Sequence, residues 1–237
     1  MTIMLEARAL RKSFGGLVAV DDVSFTLSRA ERVALIGPNG AGKSTCFNLL
    51  SGEAAADTGR ILLDGIDISR LAPHMRQRAG LGRTFQIAAV FRSMTVSENV
   101  TTALIAAGRN PDNRRALLTE VGLADLGARP VTDLAYGDIK RVEMAMALAA
   151  RPKVLLLDEP TAGMAGPERT RIMETAAALA DRNGTALLFT EHDMDAVFDF
   201  ADRILVMDQG RLIADGTPDE IRDDAEVRRV YLGDPDA

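Results

Sequence analysis

The chain has no tryptophan, two tyrosines, two histidines and one cysteine in 237 residues. A lone cysteine excludes an internal disulfide and fits a reducing compartment. No run approaches the roughly 18 apolar residues that a membrane-spanning helix needs. The longest apolar runs, Val154–Leu157, Thr185–Thr190 and Met144–Ala150, are short and bracketed by charge. The opening MTIMLEARALRKSF has no long apolar segment, so no signal peptide is expected. Basic residues are in deficit: 28 Lys and Arg against 34 Asp and Glu leave a formal charge of −6. That balance argues against a nucleic-acid partner, whose affinity would come from neutralising phosphates. Repeats and low-complexity tracts are missing, and 47% hydrophobic with 26% charged residues is ordinary globular composition, which excludes disorder.

What is present alternates. Arg32–Ile36, Val154–Leu157, Ala186–Thr190 and Ile204–Met207 are short apolar runs of the kind that form buried strands. Between two of them, Pro167-Glu168 opens a helical segment that ends at Asn183-Gly184, with Ile172, Met173, Ala176, Leu179 and Ala180 on one face. Strands alternating with helices predict an α/β fold with a mostly parallel sheet covered on both faces. Leu5–Leu10, Val18–Leu27 and Arg60–Ile68, with turns at Phe14-Gly15-Gly16 and Asp64-Gly65, predict a small N-terminal antiparallel sheet. Residues 87–151 read as mainly helical, an inserted lobe within a core of residues 1–86 and 152–237.

Gly37-Pro38-Asn39-Gly40-Ala41-Gly42-Lys43-Ser44-Thr45 fits G-x-x-x-x-G-K-[ST] between a strand and a helix. Glycines let the backbone wrap a phosphate, and N–H groups with the positive helix end point at the anion. Lys43 can bridge the β- and γ-phosphates, and the Ser44 hydroxyl can bind Mg²⁺. Val154–Leu157 ends in Asp158-Glu159-Pro160. Two carboxylates ending a buried strand need a cation or water network. Asp158 fits a Mg²⁺ role through water, and Glu159 fits a general base acting on water. To this point a small-metabolite kinase fits as well as an ATPase.

Four further segments separate them: Thr84-Phe85-Gln86, Leu134-Ala135-Tyr136-Gly137-Asp138, Thr161-Ala162-Gly163-Met164 and Thr190-Glu191-His192-Asp193. In this order, with the phosphate loop and acidic strand end, the chain resembles the nucleotide-binding domain of ABC transporters from Leu5 to Gly233. The resemblance implies one such domain, an ATPase with ATP and Mg²⁺ as cofactors. It implies Phe14 stacking on adenine with Val20 beside it, Gln86 sensing Mg²⁺ and the attacking water, and His192 contacting the γ-phosphate. Leu134–Asp138 takes the place of the signature that reaches the γ-phosphate held by a second ATP-binding subunit, in a homodimer or heterodimer. Gly137 is expected just ahead of a helix over Ile139–Ala150, leaving that helix N-terminus open to an anion.

Two segments depart from the family pattern. The signature is usually L-S-G-G-Q; Ala135 has no hydroxyl, and Asp138 carries a carboxylate that suits a helix N-terminus but repels phosphate. Met164 is followed by Ala165 where an acid or amide is usual. Both departures imply slower or regulated hydrolysis.

Arg83-Thr84-Phe85-Gln86, the run Val90–Val100, Pro160–Met164 and the ending Val230-Tyr231-Leu232-Gly233 are similar to ATP-binding subunits of branched-chain amino acid importers. The ending and length also resemble the ATPase of lipopolysaccharide export, and close relatives carry urea or amides. A soluble ABC ATPase acting on DNA or ribosomes is the more distant alternative, since no coiled coil, zinc module or second ATPase domain is present. The resemblance implies permease partners, an indirect solute-binding protein, and a peripheral place on the cytoplasmic face of the inner membrane. Phe85, Val90, Phe91 and Met94 are expected either to line a groove for a permease helix or to form core of the helical lobe. Cys46, one turn into the phosphate-loop helix, is either an activated thiol or a buried inert one. His74 matches no motif and is expected on the surface.

Overall fold

The computed structural model describes residues 2–232, so Gly233 lies outside the described residues. The chain opens with a long hairpin, β1 (Ile3–Phe14) and β2 (Leu17–Ser28), which turns at Gly15-Gly16. Next, β3 (Arg32–Ile36) leads through the glycine-rich loop into α1 (Lys43–Ser51). A second hairpin, β4 (Thr58–Leu63) and β5 (Ile66–Asp67), precedes α2 (Pro73–Ala79) and β6 (Leu81–Arg83). Three helices follow: α3 (Val96–Ala106), α4 (Arg114–Glu120) and α5 (Tyr136–Leu148). The chain then alternates through β7 (Val154–Asp158), α6 (Gly166–Asn183), β8 (Ala186–Thr190), α7 (Met194–Phe200) and β9 (Arg203–Asp208). β10 (Arg211–Gly216) and α8 (Pro218–Asp223) come next, and short helical turns over Ala225–Val227 and Arg228–Leu232 end the described residues.

Two sheets form among these residues. The antiparallel one has the order β2-β1-β4-β5, and the mixed one the order β10-β9-β3-β8-β7-β6. In the mixed sheet β9, β3, β8, β7 and β6 run parallel, and β10 pairs antiparallel to β9. The α/β reading and the N-terminal antiparallel sheet hold. β6 and β10 are additions: three residues around a glycine and a half-exposed hairpin arm carry too little periodicity to be read from sequence.

Period-2 alternation divides the core. Ala34, Ile36, Leu155, Leu157, Leu187, Phe189, Ile204 and Val206 face one apolar cluster, shared with α3, α4, α5 and α6. Val33, Leu35, Val154, Leu156, Ala186, Leu188, Leu205 and Met207 face another, shared with α1 and the antiparallel sheet. Val100, Leu104, Leu118 and Val142 of the helical segment thus pack into the same cluster as the first sheet face. The helix after Pro167 ends where expected, with Gly184 at φ 65, and all five of its apolar-face residues are buried. The helix expected over Ile139–Ala150 instead starts at Tyr136. Ala135 is its extended N-cap, so Gly137 lies inside the first turn rather than ahead of it. No helix among the described residues is long and apolar enough to cross a membrane. His74 is exposed.

Cys46 has no exposed surface, and burial pushes its thiol up to about 12. The buried, inert reading is the one that fits. The native chain is therefore expected to resist maleimide labelling equally with and without ATP and to react only after denaturation, read by mass shift. ATP-sensitive labelling of the native state would contradict this packing.

Candidate functional site

The register of the parallel strands builds the site. Ala34 of β3 pairs with Phe189 of β8, and Asp158 of β7 pairs with Thr190 of β8. The carboxyl ends of these neighbouring strands therefore share one edge, where ligands of open α/β sheets bind. The glycine loop leaves β3 there, Asp158-Glu159 leaves β7, and Glu191-His192 leaves β8.

The loop's curvature depends on glycine at two crowded positions. Gly37 has φ 145, and a Cβ there would lie 2.0 Å from the Met207 carbonyl oxygen; Gly42 has φ 105, and a Cβ would lie 2.3 Å from that of Ala19. Gly42 also caps α1 without any side-chain cap, so the helix opens directly into the loop. Lys43 folds over this loop, donating to the carbonyls of Gly37 (2.6 Å) and Pro38 (3.0 Å). Burial lowers its pKa, and the nearby Glu159 and Asp158 carboxylates oppose that shift.

A cavity of about 630 Å³ spans this edge, lined by Asn39–Thr45, Glu159 and His192 and flanked by Phe14, Leu17, Val18 and Gln209. Phe14 is half exposed, with the Lys12 ammonium 5.4 Å from its ring centroid. Val20, expected beside it, is fully buried in the core between the sheets. The pairing of β1 with β2 shifts register between Val18 and Val20, which breaks the alternation there, and Val18 is the valine at the cavity wall.

Residues from two other motifs meet at Glu159. Gln86 Nε2 donates to Glu159 Oε2 at 2.8 Å, and His192 Nε2 lies 3.0 Å from Glu159 Oε1. A carboxylate offers only acceptors, so this contact requires the proton on His192 Nε2. Glu159 itself has φ 46, and its N–H donates to Thr190 Oγ1 at 3.0 Å, which turns the carboxylate toward the loop. Asp158 is held differently. Arg83 Nη2 donates to its Oδ2 at 3.0 Å and Thr190 Oγ1 to its Oδ1 at 3.2 Å, while Arg83 also reaches Asn48 and Ser51 on α1. Arg83 thus ties the acidic strand end to the phosphate-loop helix. Arg83, Thr190 and Glu191 all stand in motifs that the sequence singles out, but the sequence gives none of the three a role. The buried Glu191 accepts from the Thr161 N–H (2.8 Å) and hydroxyl (2.7 Å), which fixes the loop after Pro160.

The segment Leu134–Asp138 does not line this cavity. Leu134 packs partly buried against the core, Ala135 is exposed, and the Tyr136 hydroxyl donates to the Gln86 carbonyl at 3.2 Å. The Gly137 N–H donates to Glu168 Oε1 at 3.0 Å, and a Cβ at 137 would strike that same oxygen. Asp138 is ion-paired to Arg141 three residues on, so its carboxylate is already compensated within α5. Of the four residues expected along a groove, Phe85 and Phe91 line a cavity of about 250 Å³ together with Ala103, Ala106 and Met146. Val90 packs against the core instead, and Met94 is half-buried outside that lining.

For the cation that the acidic strand end implies, the donor set is oxygen only: the exposed Ser44 hydroxyl, the Asp158 carboxylate and the Gln86 amide oxygen, which suits a hard divalent ion.

Comparison with known proteins agrees with this architecture. The ABC transporter family model matches residues 20–162, and that of the branched-chain amino acid ATP-binding cassette transporter matches residues 211–237. The chain is 40% identical over 98% of its length, and 98% of the relative's, to the Salmonella typhimurium high-affinity branched-chain amino acid transport ATP-binding protein LivG. It is 39% identical, again over 98% of both chains, to the Haemophilus influenzae lipopolysaccharide export system ATP-binding protein LptB. The crystal structure of the ADP conformation of MJ1267, an ATP-binding cassette of an ABC transporter, superposes with a TM-score of 0.89 at 30% identity, covering 99% of this chain and all of that one. A phosphate loop and an acidic strand end on a parallel sheet, with this breadth of likeness behind them, make the chain an ATP-binding cassette of the ABC transporter family.

Proposed function

We propose that this ATPase energises a branched-chain amino acid importer. The observation that carries the reading is the meeting of Gln86, Glu159 and His192 beside the phosphate loop, which joins ATP binding to activation of water. The likeness to LivG and the C-terminal match at residues 211–237 favour this solute class. Lipopolysaccharide export is the second reading, favoured by the likeness to LptB.

In this reading Phe14 and Val18 flank the base, and Gly37–Thr45 cradle the phosphates. Lys43 exchanges its two loop carbonyls for phosphate oxygens. Ser44, Asp158 and Gln86 are the residues that would hold Mg²⁺, which spreads the charge of the β- and γ-phosphates when bound. Glu159 takes a proton from water as the water oxygen attacks the γ-phosphorus and the bond to ADP breaks. Gln86 fixes one carboxylate oxygen of Glu159 and His192 the other. Residues 87–151 serve as the helical lobe of a single nucleotide-binding domain.

Because Leu134–Asp138 lies outside the cavity of its own chain, the reading requires a second ATP-binding subunit, alike or different, whose signature helix closes over the γ-phosphate. The cavity bounded by Phe85 and Phe91 fits a short apolar permease helix. The chain then sits peripherally on the cytoplasmic face of the membrane, and a solute-binding protein acts on it only through the permeases.

Three measurements test this reading. Affinity purification of the tagged chain from detergent-solubilised native membranes is expected to recover two permeases and an ATP-binding partner. Recovery of the chain alone, with its ATPase activity in the soluble fraction, would sink the transporter assignment. Glu159→Gln is expected to lose at least about 100-fold in turnover and to elute as an ATP-dependent dimer in size-exclusion chromatography. A monomer that phosphorylates a small metabolite would instead point to a kinase. Glu168 occupies the N–H of Gly137 that the partner's phosphate needs. In the Glu159→Gln background, Glu168→Ala is therefore expected to lower the ATP concentration for half-maximal dimerisation by roughly 5-fold, the worth of about 1 kcal/mol of helix-end charge. An unchanged or raised midpoint would show that Glu168 does not compete.

A further inference from the structure

Helix α5 holds three buried charges that the hydrolytic site does not use, of which Arg141 pairs with Asp138 and the other two face the glutamine segment. Lys140 and Glu143 are each 3% exposed, and their charged atoms lie 3.4 Å apart. Burying such a pair is costly unless every donor and acceptor is satisfied. Here the satisfying groups are the backbone of the segment that carries Gln86. Glu143 Oε1 accepts from the N–H groups of Phe85 and Ala89, each at 3.0 Å, and Lys140 Nζ donates to the Phe85 carbonyl. One turn toward the helix start, the Tyr136 hydroxyl donates to the Gln86 carbonyl. Positions 136, 140 and 143 are spaced four and three residues apart, so they stand on one face of the helix. The segment 85–89 has no strand or helix of its own to fix it.

We infer that Tyr136, Lys140 and Glu143 form a three-point grip that positions Gln86 against Glu159, so that α5 and the glutamine loop move as one body. This inference rests on the proposed role of Gln86 and deepens it. It gives Tyr136, the bulky departure from the usual glycine of the signature, a function inside its own chain. It also gives one helix two tasks. Its first turn faces the partner's nucleotide, and its side chains hold the residue that orders water at its own site. Nucleotide on one subunit can then bias hydrolysis on the other through a single rigid element. These three are positioning residues, because none of them lines the phosphate-loop cavity.

Glu143 stands in a strongly desolvated place, and burial pushes its pKa up against the opposing pull of the Ala89 N–H, the Lys140 charge and the Phe85 N–H. Removing its carboxylate strands two loop N–H groups, whereas Gln keeps one oxygen to accept from both.

A double-mutant cycle on the purified full chain tests the grip. Glu143→Ala is expected to lower kcat roughly 10-fold while KM for ATP stays within about 2-fold, since a small displacement of a positioning group acts on the chemical step. Glu143→Gln is expected to recover most of the loss, and Tyr136→Phe to cost about 2- to 3-fold. Gln86→Ala combined with Glu143→Ala is expected to be no slower than Gln86→Ala alone; additive losses would overturn the grip. If Gln86→Ala itself hydrolyses ATP like the wild type, the proposed site fails rather than the grip. Amide hydrogen exchange gives a readout independent of turnover. The 85–89 segment is expected to exchange faster in Glu143→Ala and to be protected again in Glu143→Gln, with the β7 and β8 amides unchanged. A uniform rise across the chain, or no change at 85–89, would mark Glu143 as a stability residue only. Should Glu143→Ala fail to fold, Tyr136→Phe carries the same cycle with Gln86→Ala, and additivity there overturns the proposal equally.

Discussion

Everything at the nucleotide edge depends on the register of β3, β7 and β8. Parallel pairing of Ala34 with Phe189 and of Asp158 with Thr190 brings a glycine loop, two carboxylates and a histidine to the same end of one sheet. That arrangement gathers negative charge next to a site built for an anion. The chain separates the two carboxylates by giving them different partners. Asp158 is neutralised by Arg83, whose guanidinium also anchors α1. Glu159, turned by its positive φ, is left to hydrogen-bonding groups alone, Gln86 and His192.

The phosphate loop and the N-terminus of α5 do not face a common cavity within this chain. In the isolated chain the N-terminus of α5 is filled by Glu168 from the first turn of α6. The Asp138 carboxylate, which sequence alone sets against an incoming phosphate, is drawn back along its own helix by Arg141. The repulsion expected from the departure at 138 is thereby softened, and Glu168 is the carboxylate that occupies this helix end.

Gln86 and His192 were reached through the resemblance to ABC nucleotide-binding domains, whereas the phosphate loop and the acidic strand end were legible because each rests on fixed spacing after an apolar run. The sheet, the α6 face and the turns at Gly15-Gly16 and Asp64-Gly65 were legible for the same reason. What escaped was non-local. Val18 and Val20 would share a face in a regular strand, and only the register shift between them in the pairing of β1 with β2 separates the cavity wall from the core. Arg83 is one of many surface-type arginines until β6 places it beside β7. Lys140 and Glu143 look like an exposed i, i+3 pair, and their burial follows from the way residues 85–89 fold back over α5. The helix start at Tyr136 was obscured by Gly137, which propensity alone would exclude from a helix.

That glycine and the missing serine have one explanation. Ser at a helix N-cap accepts from an N–H of the first turn, and replacing it with Ala costs about 1 kcal/mol. Ala135 makes no such bond. The acceptor comes instead from Glu168, which bonds the Gly137 N–H and approaches so closely that no Cβ fits there. A cap supplied by another helix differs from one supplied in place: it leaves when α6 or the loop before it moves. Residues Thr161–Met164 precede α6, and Thr161 is pinned to Glu191, the neighbour of His192. The departure at 135 thus exchanges an in-place hydroxyl for a carboxylate mounted on α6, the helix that follows β7.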